Sequence, residues 1–258
     1  MNKNVYSTIH LWQRSAFRCM SACRSAWMGI FMSVSYQNVL ERLKEERLRN
    51  NWSQEQISQR LKMSQSHYSK VELGKRRFTY YEVQYLYDLD VDAHYIFTGQ
   101  KSNAKYEAFF SGCDYRELNF YLHVLAYMAE YLYLIGKSEE WKAMYGELAY
   151  IRYVTSPDRA DDNTLFLLRR LLNYNQQTMA EKLGVDIKKV RAMENGESLP
   201  DSEILWNLYQ LFRIPPAVFT KNQRGMTSVV SCLMDILPVK EREHAMEVLQ
   251  SCHGAVAD

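Results

Sequence analysis

No stretch of this 258-residue chain approaches the roughly 20 consecutive apolar residues of a membrane-spanning helix, so no membrane segment is expected. Catalytic signatures are missing as well. There is no phosphate loop, no metal-ligand cluster and no nucleophile motif, and His94, His123 and His244 are isolated in the sequence. Cysteine is sparse: Cys19, Cys23, Cys113, Cys232 and Cys252 are scattered, odd in number and without the paired spacing of a zinc site. That usage fits reduced thiols in the cytoplasm. These absences argue against an enzyme, a metalloprotein and a membrane protein, and the chain is expected to need no cofactor and no metal.

An excess of charge is also lacking, since the formal net charge is only +2. Net charge conceals distribution, however. Residues 38–77 carry ten Lys/Arg against five Asp/Glu, and residues 169–200 carry six against four, whereas residues 101–162 carry seven against ten. Two basic stretches therefore flank an acidic connector, and a polyanion would meet the first stretch most favourably. The first 31 residues contain Lys3, Arg14, Arg18 and Arg24 and no acid. With the short apolar patch from Ala26 to Val34 they read either as a weak signal sequence or as translated upstream sequence before Met32, the second being the better fit.

What the sequence does have is an ungapped internal repeat at an offset of 122 residues. Leu43, Arg47, Asn51, Gln54, Leu61, Glu72, Gly74, Leu86, Tyr87, Leu89, Phe97 and Thr98 recur as Leu165, Arg169, Asn173, Gln176, Leu183, Glu194, Gly196, Leu208, Tyr209, Leu211, Phe219 and Thr220. With 47% hydrophobic residues, the chain has enough apolar material for two small domains.

Within the first repeat, Val39 to Asn50 reads as an amphipathic helix ended by Asn50 and Asn51. Ser53 and Gln56 form a capping box for a second helix with Ile57 and Leu61 inward, and Ser64 caps a third over Gln65 to Leu73, stopped by Gly74. That third helix turns Tyr68 and Val71 inward and Gln65, Ser66, Ser69 and Lys70 outward. Tyr80 to Leu89 and Ala93 to Phe97 supply two further helices. Between the repeats, Asp114 and Glu117 cap a helix with an apolar stripe from Leu118 to Leu132, and Ser138 can cap another through Trp141, Met144, Leu148 and Ile151. The tyrosine-rich connector is thus better read as a helical hairpin core than as a ligand pocket or dimer face. Met226 to Leu237 and Pro238 to Ser251 form two last helices.

The run from Leu43 to Leu48, the run from Trp52 to Ile57 and the run from Ser69 to Lys75 resemble the Xre-type helix-turn-helix family, which includes the lambdoid phage repressors. Leu168 to Arg170, Asn175 to Val185 and Ala192 to Gly196 carry the same resemblance in the second repeat. It implies an all-α chain with two lambda-repressor-like five-helix bundles joined by a helical hairpin. The expected organisation is a leader at 1–35, disordered or upstream of the true start, a DNA-binding domain at 36–101, a connector at 102–160, a second helix-turn-helix-like domain at 161–223 and C-terminal helices at 224–258.

By that resemblance the third helix enters the major groove of double-stranded DNA, with Gln65, Ser66, Ser69 and Lys70 reading bases. Gln54, His67, Lys75, Arg76 and Arg77 are then expected at phosphates. A weaker second site falls on Gln176, Ile187, Lys188, Lys189 and Arg191, because Ala192 replaces Lys70 and Glu197-Ser198-Leu199 replaces the basic Lys75-Arg76-Arg77. Arg47 with Glu72, and Arg169 with Glu194, resemble the family's buried ion pair. Lys62 stands where the family has a glycine, which would strain that turn. The resulting expectation is a cytoplasmic transcriptional regulator, most often a repressor, working as a homodimer. The alternative is an antitoxin-like or sensor protein with a protein partner or a small effector.

Overall fold

The computed structural model describes residues 35–136 and 148–252, and every regular element among them is a helix. The expectations for the leader, for the Ser138 cap and for Trp141 and Met144 lie outside the described residues. The first bundle consists of α1 (Tyr36–Arg49), α2 (Gln54–Arg60), α3 (Gln65–Glu72), α4 (Tyr80–Asp88) and α5 (Ala93–Thr98). Next come α6 (Ala104–Phe110), α7 (Tyr115–Gly136), α8 over residues 148–154 and a 3-10 turn at Pro157–Arg159. The second bundle repeats the first as α9 (Thr164–Leu171), α10 (Gln176–Leu183), α11 (Ile187–Glu194), α12 (Ser202–Phe212) and α13 (Pro216–Thr220). The chain continues with α14 (Gln223–Ile236) and α15 (Val239–Cys252).

Local chemistry explains most boundaries. The Ser53 hydroxyl accepts from the Gln56 N–H, the Gln56 side chain returns the bond, and the Ser64 hydroxyl accepts from the His67 N–H. Leu73 is the C-cap of α3, and Gly74 follows in the left-handed region at φ 71°. The first helix begins three residues earlier than its apolar spacing suggests. Its start is fixed by Ser35, whose N–H donates to Asn38, and by burial of Tyr36 against the second bundle. Lys62 does adopt a left-handed backbone, at φ 56°, and its ammonium rests 4.1 Å from the centre of the Tyr85 ring.

The connector and the C-terminal helices interlock. Asn119 donates to the Thr155 carbonyl and Arg152 pairs with Glu130, so α7 and α8 lie antiparallel. Helix α7 also packs on α14, which in turn packs on α4, α5, α6 and α13. One hydrophobic core therefore runs from Tyr36 to Leu249 rather than stopping at each bundle. Gly225 marks its tightest crossing, because a Cβ there would lie 2.7 Å from the Ala217 Cβ and 2.9 Å from the Tyr87 ring. Gly225→Val is expected to lower stability by about 1–3 kcal/mol through overpacking. Denaturant unfolding checks this, and an unchanged midpoint would contradict the close crossing.

Candidate nucleic-acid interface

In both repeats a buried carboxylate sits between the first helix and the end of the third. Glu72 accepts from Arg47 Nε at 2.7 Å, from Gln54 Nε2 at 2.7 Å and from the Tyr68 hydroxyl at 2.8 Å, while Arg47 Nη1 also donates to the Trp52 carbonyl. The second repeat reproduces most of this. Glu194 accepts from Arg169 Nε and Nη2 and from Gln176 at 2.9 Å, and Arg169 Nη1 donates to the Tyr174 carbonyl. Val190 stands where the first repeat has Tyr68, so the phenol bond has no counterpart.

Burial alone would raise the Glu72 carboxyl, but hydrogen bonds from Arg47, Gln54 and Tyr68 outweigh it and hold the group below its ordinary value. The bond to Glu72 raises Arg47, and burial beside that carboxylate raises the Tyr68 phenol. A depressed carboxylate contributes stability that is complete above its unfolded value and is lost as the pH falls through the folded one. Glu72→Ala, which leaves Arg47 uncompensated, is expected to cost about 3–5 kcal/mol at neutral pH. It is also expected to flatten part of the acid-side fall in stability. Unfolding measured at neutral pH and below the carboxylate range checks both, and an equal loss at the two would contradict the linkage.

The hydrogen-bond chain continues outward to the surface of α3. Gln54 accepts, through Oε1, a bond from Gln65 Nε2 at 3.1 Å. The buried carboxylate thereby fixes Gln54, and Gln54 fixes the first side chain of the third helix. Gln65, Ser66, His67 and Lys70 are exposed along one face, with Ser69 half-buried beside them, and Tyr68 and Val71 are fully buried on the other.

Several expected phosphate contacts are otherwise engaged. Gln54 has its amide committed at both ends, to Glu72 and Gln65. Arg76 makes two bonds to Glu82, at 2.9 and 2.8 Å. Arg77 makes two to Glu203 of the second bundle, at 2.8 and 3.0 Å, and lies over the Tyr36 ring. Arg76 and Arg77 thus each have a carboxylate partner within the fold, and Lys75 and His67 are exposed. In the second repeat, Lys188 and Arg191 are exposed. Ile187 instead packs against the core, Lys189 pairs with Asp201 at 3.1 Å, and Gln176 is held by Glu194. The pairing of Arg77 with Glu203 spans 126 residues, and no local sequence signal announces it.

Among the described residues no helix is long and apolar enough to cross a membrane, and no group of three or more His, Cys, Asp or Glu is placed to hold a metal ion. A helix-turn-helix family model matches the chain twice, over residues 43–84 and 165–219. The chain thus carries two helix-turn-helix domains of that family in tandem, in an all-helical fold. Comparison with curated proteins and with solved structures gave no match.

Proposed function

We propose that the chain is a cytoplasmic, sequence-specific transcriptional regulator that represses by occupying an operator, with α3 inserted in the major groove. The observation that supports this best is the bonded series from Glu72 through Gln54 to Gln65, which prepositions an amide at the exposed N-terminus of α3. An amide so placed can pair bidentately with adenine, and Lys70 one turn further on can donate to guanine, each contact being worth about 1–3 kcal/mol of discrimination. Ser66 and Ser69 complete the base-reading face. Preordering of Gln65 reduces the rotamer entropy lost on binding.

The test is titration of selected duplexes at several salt concentrations. Gln65→Ala and Lys70→Ala are each expected to lower preference for their own base position by about 1–3 kcal/mol. Lys75→Ala is expected to weaken all sequences alike and to reduce the salt slope by about one. Arg76→Ala, whose guanidinium is bound to Glu82, is expected to leave that slope unchanged. A chain that binds no duplex at moderate salt would overturn this function.

A second reading, in which a protein is the main partner and DNA binding serves autoregulation, draws support from the exposed side chains of Tyr127, Tyr131 and Ile135 on α7. It predicts a small protein that co-purifies with the native chain and is lost with Tyr131→Asp. Purification without such a partner removes this reading.

A further inference from the structure

The two helix-turn-helix domains do not hang independently from the connector. Under the 122-residue repeat, α4 corresponds to α12 and α5 to α13. The bundles meet through α4 on α13, α12 on α5, and α5 on α13. The first two contacts exchange with each other under the repeat relation, and the third sets a helix against its own counterpart. That reciprocity is the signature of an isologous, two-fold interface, here formed inside one chain.

Polar contacts also join the bundles in both directions, though they are not copies of one another. From the first bundle, the Tyr80 hydroxyl donates to the Phe219 carbonyl and Gln84 donates to the Thr220 carbonyl, both at the end of α13. Ser202, the counterpart of Tyr80, inserts into the first bundle. Its N–H donates to the Phe78 carbonyl, its hydroxyl accepts from the Phe78 N–H, and that hydroxyl lies 2.6 Å from the Tyr36 hydroxyl. Ser202, Phe78, Tyr36 and Trp206 are all buried there. The segment leaving α3 thus ends at the junction, where Arg77 grips Glu203. Buried apolar surface and the hydrogen bonds of Ser202, Tyr80 and Gln84 make this a fixed joint and not a tether.

Resting on the DNA-binding reading above, we propose that a single copy of the chain recognises a composite operator of two unlike half-sites, one under α3 and one under α11, held in register by the internal two-fold pairing of its bundles. A two-fold relation between readers is what two half-sites one helical turn apart require, and family members obtain it by pairing two chains. Here one chain supplies it. The half-sites differ because the reading faces do: Gln65, Ser66 and Lys70 in the first repeat correspond to Ile187, Lys188 and Ala192 in the second. On this proposal the reading unit is a single chain, where the family resemblance implied a homodimer.

The experiment is selection of duplexes from a random pool by the full chain, with the mass of the resulting complex measured. The expected result is one chain per duplex on a non-palindromic site whose halves are centred about 10 base pairs apart. Gln65→Ala/Lys70→Ala then flattens base preference in one half, and Lys188→Ala/Arg191→Ala flattens it in the other; all four positions are exposed, so folding is not at risk. Inserting about 5 base pairs between the halves turns one to the opposite face and lowers affinity by about tenfold or more, since a fixed joint cannot follow. Two chains on a palindrome, full tolerance of the insertion, or a second-repeat variant with unaltered base preferences would each overturn the proposal while leaving DNA binding intact. Selection of no sequence by the native chain would overturn the DNA-binding reading and this proposal with it.

Discussion

The pairing of Arg47 with Glu72, copied as Arg169 with Glu194, is the constraint on which both domains depend. Each glutamate closes the third helix of its bundle, and each arginine stands on the first, so the pair sets the pose of the surface helix relative to the core. Two buried charges do not by themselves guarantee stability, because desolvation opposes their attraction. They do impose geometry, since the guanidinium also binds a backbone carbonyl just past its own helix, at Trp52 or Tyr174. What differs is how far that order extends outward. In the first repeat it reaches Gln65 through Gln54, whereas in the second it stops at Gln176, because Ile187 has no amide to receive it.

The second constraint is the joint between bundles. Ser202, with no exposed surface, satisfies both backbone groups of Phe78 and meets the Tyr36 hydroxyl, and Arg77 with Glu203 closes the rim. Helix α14 then braces the joint from behind, and Gly225 allows it to approach Tyr87 and Ala217 together. A fixed pair of helix-turn-helix bundles with unlike third-helix faces follows from these contacts.

Much of this was legible in the sequence because its determinants are local or repeated. Ser53 with Gln56, Ser64 and Gly74 mark helix ends within four residues of the groups they satisfy, and the periodicity of Ile57, Leu61, Tyr68 and Val71 marks the buried face. The ion pairs could be read because a separation of 25 residues occurs twice and resembles a family pattern. Contacts between distant elements left no such trace. The basic run Lys75-Arg76-Arg77, expected at phosphates from the family resemblance, has two of its three charges paired with Glu82 and Glu203. Lys189 is drawn to Asp201 in the same way, and α7 packs on α14, far along the chain. Net charge over a window cannot reveal which side chains the tertiary fold has already neutralised.

The central claim is that the buried carboxylate orients the reading helix through Gln54. A double-mutant cycle between Gln54→Ala and Gln65→Ala, measured as affinity for the selected duplex, tests it most directly. Coupling is predicted, of about 0.5 kcal/mol or more, because loss of Gln54 already releases the Gln65 amide and the second substitution then costs less. Strict additivity of the two losses would show that Gln65 reads its base without support from the core, and would contradict the account.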